Sequence, residues 1–174
     1  MYTNIASLLA KLDSFTLYVH EKNPACILLS ETWLSPVIPD SMIEIPDYDL
    51  YRTDRDSRGG GVCIFLKKAV FKHFTINSFS YNYGSIEVIG VDCTYDSQIF
   101  SMVCIYRPPS SSLYNDQMLC DKIKLLSGQK QNLMIFGDFN FPSISWPNMQ
   151  LHDNDESSIL FTDMILETSL AQLV

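Results

Sequence analysis

The apolar runs of this chain are short and sit in a fixed order, and that limits what it can fold into. "ACILL" and "VCIFL" stop at five residues, the length of a buried strand, whereas a membrane span needs about 20. Before them, Leu8, Leu9, Leu12, Phe15 and Val19 recur at three to four residues, predicting a helix over 6–20 that Asn23-Pro24 stops. "ACILLS" then reads as a buried strand delivering Glu31, and the next thirty residues, rich in Pro, Asp and Ser, read as a long loop. Further strands are expected at "GGGVCIFLKK", "FKHFTI", "SIEVIGVDCTY" and "IFSMVCIY", the last stopped by Pro108-Pro109. A helix over 113–127, the strand "NLMIF" and a closing helix, "SSILFTDMILETSLAQ", complete the order. Strands in the middle, with helices before, between and after, predict a single α/β (α+β) domain over residues 1–174, its sheets covered by helices.

Two of these strands end on polar residues. Glu31 follows "ACILLS", and Asp138 with Asn140 follows "NLMIFG". A sheet fixes such side chains while the adjoining loops leave them open to a ligand. Together they offer the hard oxygen atoms that Mg²⁺ or Mn²⁺ prefers, while His and Cys in zinc spacing are absent. Asp138 and Asn140 stand two apart and would face the same way on an extended backbone, with the small Gly137 letting a ligand approach. An Asp-Asn turn that only satisfies its own backbone is the competing reading.

Composition removes other classes. No basic start precedes an apolar stretch at "MYTNIASLLAKL", so no signal peptide is expected. Five cysteines without CxxC spacing, four of them inside strand-like runs, read as reduced core residues of an intracellular protein. A net charge of −8 argues against holding nucleic acid by bulk electrostatics alone.

Four segments, "LLSETWL" at 28–34, "YRTDRDSRGGGVCIFLKK" at 51–68, "CIYRPPS" at 104–110 and "MIFGDFNFPSISW" at 134–146, resemble the ordered signature of the endonuclease/exonuclease/phosphatase superfamily. More closely, they resemble the endonuclease domain of non-LTR (LINE-type) retrotransposons. The resemblance implies a four-layered sandwich of two mixed sheets flanked by helices. It implies Glu31 as the main ligand of Mg²⁺ or Mn²⁺ with Asn4 beside it, and Tyr106 bonded to the scissile phosphate. Asp138 would prepare the attacking water, and Asn140 would position water and phosphate. Asn4, Arg107 and Arg55 are the expected substrate contacts. The implied reaction nicks DNA and leaves a 3′ hydroxyl for a reverse transcriptase encoded downstream, in the nucleus for a full-length element, with no membrane involved.

Several of these residues have plainer readings. Asn4 could cap the first helix, Tyr106 could pack against the Pro108-Pro109 turn, and Arg52, Arg55 and Arg58 could pair with Asp54 and Asp56 in a solvated loop. Lys67, Lys68 and Lys72 either extend a phosphate-facing strip or are simply solvated. The chain also departs from the family: the Ser-Asp-His element downstream of "GDFN" is absent, and the opening strand looks clipped, so the sandwich is expected to be incomplete at both ends. A missing general acid or base costs ~10²–10⁴ in rate, so this chain is expected to be inactive and marginally stable alone. The alternatives are a catalytically dead relic or binding module, or a phosphoinositide or sphingomyelin phosphatase on the same scaffold.

Overall fold

A computed structural model describes residues 1–71 and 77–173. Among the described residues, ten strands and four helices follow one another in the order β1 (Tyr2–Asn4), α1 (Leu12–Lys22), β2 (Cys26–Ser30), β3 (Tyr48–Thr53), β4 (Val62–Lys67), α2 (Lys68–Phe71), β5 (Asn77–Tyr83), β6 (Ile86–Tyr95), β7 (Gln98–Tyr106), α3 (Leu113–Gln129), β8 (Leu133–Asp138), β9 (Ile144–Ser145), β10 (Gln150–Leu151) and α4 (Glu156–Thr168). Two four-stranded sheets result, ordered β1-β2-β4-β3 and β5-β6-β7-β8, with β9 and β10 forming a separate hairpin. Each large sheet is mixed. β1 and β2 are parallel in the first, β7 and β8 are parallel in the second, and the other neighbours run antiparallel.

The period-two alternation of side chains along each strand builds the layers. Leu28, Val62, Ile64 and Leu66 from the first sheet meet Ile89, Val91, Met102 and Cys104 from the second in a core between the sheets. Their sequence neighbours face outward: Ile27, Leu29, Cys63 and Phe65 pack on Phe15 and Val19 of α1. Likewise Val88, Val103 and Ile105 pack on Leu119 and Ile123 of α3 and on Phe161 and Met164 of α4. The arrangement is therefore helix, sheet, sheet, helices, the expected four-layered sandwich. Ser112 caps α3 and Asp155 caps α4, each accepting a bond from a main-chain N–H of the first turn. All five cysteines are free thiols, four buried and Cys26 half-buried.

Several elements differ from the sequence expectation. The opening strand is short, Tyr2–Asn4, and pairs in parallel with β2. The first helix starts later than residue 6, because Ala6 and Ser7 take left-handed backbone angles (φ 45° and 81°); a short 3-10 turn at Leu9–Lys11 then leads into α1. The long loop contains β3, in which Tyr48 and Leu50 alternate with Asp49. β5 was also missed, although Phe79, Tyr81 and Tyr83 alternate with Ser80 and Asn82. The strand expected at "FKHFTI" lies outside the described residues except for Phe71, which ends α2.

Gly137 does a different job from the one expected of it. A Cβ built there would lie 2.4 Å from the Ile105 carbonyl oxygen in the paired strand β7, so the missing side chain serves strand packing rather than ligand approach. Gly137→Ala should therefore lower stability by ~1–3 kcal/mol, since backbone cannot yield as a flexible side chain can. Gly128→Ala in α3, where a Cβ meets nothing within 4 Å, should raise it by ~0.5–1 kcal/mol. Urea unfolding midpoints of the two variants check both signs.

Candidate functional site

Both parallel strand pairs deliver their C-terminal ends to one place. Asn4 closes β1 in register with Ser30 of β2, and Glu31 follows immediately. On the facing sheet Tyr106 closes β7 in register with Asp138 of β8. The two sheets are joined there by a hydrogen bond in which Asn4 Nδ2 donates to Asp138 Oδ2 at 2.9 Å. Asn4 is not a helix cap: its Oδ1 accepts from the Ala6 N–H, and neither the 3-10 turn nor α1 has a side-chain cap.

Glu31 sits at a left-handed φ of 57°, an uncommon conformation for a residue with a Cβ and one that surrounding contacts must hold. Those contacts are specific. Glu31 Oε2 accepts from Trp33 Nε1 at 2.5 Å and from the Gly60 N–H at 3.1 Å, and Tyr106 donates a further bond to the carboxylate. Burial alone would raise its pKa; the Tyr106, Trp33 and Gly60 donors together with the Arg55 charge outweigh it and leave Glu31 below the ordinary glutamate value. Burial and the bond to Glu31 push the Tyr106 phenol well up, so it remains a donor at neutral pH.

Behind this pair lies an ion pair that sequence reasoning did not find. Glu87 faces Tyr106 across the β6–β7 pairing, on the side of the sheet that meets its neighbour, and is fully buried. Arg55 grips it with two bonds, Nε to Oε1 at 2.5 Å and Nη2 to Oε2 at 2.9 Å, while its guanidinium lies 5.5 Å from the centre of the Tyr106 ring. The Gly61 N–H adds a third donor to Glu87. Burial raises the Glu87 pKa, and Arg55 and Gly61 pull against it. A lone acid in the apolar run "SIEVIGV" was the available signal. Arg55 thus points neither to the loop aspartates nor straight into solvent; it braces Tyr106. Arg52 pairs with Asp40 and Asp54, and Arg58 lies over the Trp33 ring.

Arg107 is placed differently from the expected substrate contact. It is 4% exposed and held by the fully buried Asp116 of α3 through bonds of 2.8 and 2.9 Å. Its Nη1 donates to the carbonyls of Phe139 and Asn140, its N–H donates to the carbonyl of Asp138, and its own carbonyl accepts from Asn140 Nδ2 at 2.7 Å. Arg107 therefore sets the path of residues 138–140 from behind, including the left-handed φ of 49° at Asn140. Lys67 bonds Asn23 and Lys68 lies near Asp49, both at the far end of β4 from Gly61, so they form no strip along the site; Lys72 lies outside the described residues.

Among the described residues no three His, Cys, Asp or Glu side chains cluster closely enough to hold a metal by themselves. Glu31 and Asn4 supply one ionised carboxylate and one amide oxygen. That donor set fits Mg²⁺, which keeps several waters and is commonly held by one or two carboxylates plus substrate phosphate oxygens. It does not fit a closed protein cage.

The Arg107–Asp116 pair carries a pH signature. Burial would raise the Asp116 pKa, but the two bonds from the Arg107 guanidinium and its charge outweigh it and leave the folded value below the unfolded one. The stability it confers is thus present above the ordinary aspartate pKa of about 3.9 and is lost as pH falls through the lowered folded value. Asp116→Asn should cost ~3–5 kcal/mol at pH 7, because Arg107 is left buried and charged without its partner. That deficit should shrink when urea unfolding is repeated near pH 3.

Comparisons with known proteins agree with this fold. Among curated protein sequences none matches. Solved structures match over most of the chain. NExo from Neisseria, a 3′ phosphatase solved with a product DNA hairpin, aligns at TM-score 0.69 with 13% identity over 96% of this chain and 69% of its own. The endonuclease domain of TRAS1, a telomere-specific non-LTR retrotransposon, aligns at 0.60 with 14% identity over 96% and 68%. TDP2 of D. rerio complexed with a single-strand DNA product aligns at 0.59 with 12% identity over 85% and 62%. The chain thus spans from three fifths to just over two thirds of each of these proteins. A sequence profile of one family covers residues 1–170, and with it the two mixed sheets and the strand-end residues described above: this chain belongs to the Endonuclease/Exonuclease/phosphatase family.

Proposed function

We propose that the joined strand ends form the metal-and-water part of a phosphodiester hydrolase site acting on DNA, as in an endonuclease domain of a non-LTR retrotransposon. The observation that carries the reading is the Asn4–Asp138 bond, which joins the strand end of one sheet to the acidic strand end of the other. Glu31 with Asn4 would hold Mg²⁺ or Mn²⁺, which offsets charge developing on the phosphate oxygens. Asp138 is oriented by Asn4 to accept a proton from water, and Asn140 is held in place to bond the phosphate. Tyr106, protonated and already donating to Glu31, can turn its donor to a phosphate oxygen. The "ETWL", "YRTDRDSRGGGV" and "YRPP" set favours DNA over lipid or inositol phosphates. The DNA found on two fold neighbours is in keeping with that choice. A reverse transcriptase is the proposed partner in a longer polyprotein, with nuclear DNA as the target.

Among the described histidines, His20 lies on α1 and His152 just after β10, bonded through its N–H to the Ser143 carbonyl, and neither is at the site to act as acid or base. Binding is therefore measured together with rate. Mn²⁺ titration followed by electron paramagnetic resonance should show one site, weakened about 100-fold or more by Glu31→Gln. Any Mg²⁺-dependent nicking of supercoiled plasmid should fall ~10²–10⁴-fold in Asp138→Asn. Mn²⁺ binding indifferent to Glu31, with no metal-stimulated nicking, would overturn the reading.

A further inference from the structure

Trp33 is tied directly to Glu31 through its indole N–H, and much of it is left in solvent. Its side of the loop is rigid. Thr32, 1% exposed, donates its N–H to the Gly61 carbonyl, and the Trp33 N–H donates to the Gly60 carbonyl at 2.9 Å. Trp33 itself takes a left-handed φ of 54°. The indole N–H is fixed on Glu31 Oε2, so the polar edge faces the carboxylate. The residue nevertheless remains 41% exposed. The exposed Arg58 lies with its guanidinium 5.9 Å from the ring centre.

A half-exposed Trp with its polar edge pinned on the acid of the proposed site and a cation over its ring has the chemistry of a stacking surface for nucleobases. We infer that Trp33 and Arg58 form a stacking platform for an unpaired nucleobase of the DNA strand whose phosphate binds at Glu31. The inference rests on the phosphodiester reading and adds a base contact to it. Arg58 contributes a cation beside the stacked base in a chain whose overall charge is −8, so affinity here comes from a local contact rather than from a basic field.

The test uses the full chain carrying Trp146→Phe, so that Trp33 is the sole tryptophan of the original two. A single-stranded oligodeoxynucleotide should quench its fluorescence, while an equally long abasic oligomer, which keeps every phosphate, should not. In anisotropy titrations with a labelled oligonucleotide, Trp33→Ala should weaken binding about tenfold. Trp33→Phe, which keeps a ring but loses the bond to Glu31, should retain most of the affinity, and Arg58→Ala should weaken binding while leaving Mn²⁺ affinity unchanged. Equal quenching by the abasic oligomer, equal losses in the Phe and Ala variants, or no binding of either oligomer overturns the inference. The phosphodiester reading fails separately, through Mn²⁺ binding that ignores Glu31→Gln.

Discussion

The direction of two strand pairings governs this molecule's functional geometry. Because β1 runs parallel to β2 and β7 parallel to β8, each sheet sends two chain ends to the same edge. Packing the sheets face to face through Leu28, Ile64, Ile89 and Cys104 brings those edges together. An antiparallel pairing at either position would have sent Asn4 or Asp138 to the opposite end, some five or six residues of strand away. Asn4, Glu31, Tyr106 and Asp138 meet because of topology, and the Asn4–Asp138 bond is the local expression of that constraint.

Charge in the buried layers is arranged around the same edge. Arg55–Glu87 lies between the sheets behind Tyr106, and Arg107–Asp116 lies between the second sheet and α3 behind Asn140. Each pair is multiply bonded, as a buried ion pair must be if breaking it is not to strand a charge. Neither pair is needed for a core of this size, and apolar residues could fill the same space. Their placement behind the exposed polar groups instead fixes the rotamers of residues that have little packing of their own, the support that a site on strand ends requires. The Arg107 guanidinium also stacks on the Phe141 ring at 3.9 Å, which ties the loop after Asn140 to the same anchor.

Strands rich in buried apolar residues were legible because burial on both faces leaves a continuous run, as in "CILLS" and "VCIFLK". β3 and β5 were missed because each lies at the edge of its sheet, where polar residues such as Asp49, Arg52, Ser80 and Asn82 interrupt the run. The helix start at residue 6 was misplaced because apolar spacing reports burial and not backbone angle: Leu8 is buried, but from the turn before the helix. In the site, the exposed acids and amides were legible as strand-end polar residues. Arg55 and Arg107 were read as cations for substrate because their partners, Glu87 and Asp116, lie 32 and 9 residues away. Pairing over such separations leaves no local pattern.

The sequence by itself determined which buried apolar segments become strands and helices, which residues are polar at strand ends, and, through four ordered motifs, the family. Those properties follow from local patterns of burial and turn chemistry. Tertiary structure alone decided which polar residues share a site and which serve as its supports. The reason is that hydrogen-bond partners are chosen by sheet order and facing, as in the 134-residue separation between Asn4 and Asp138, and neither is encoded by spacing along the chain.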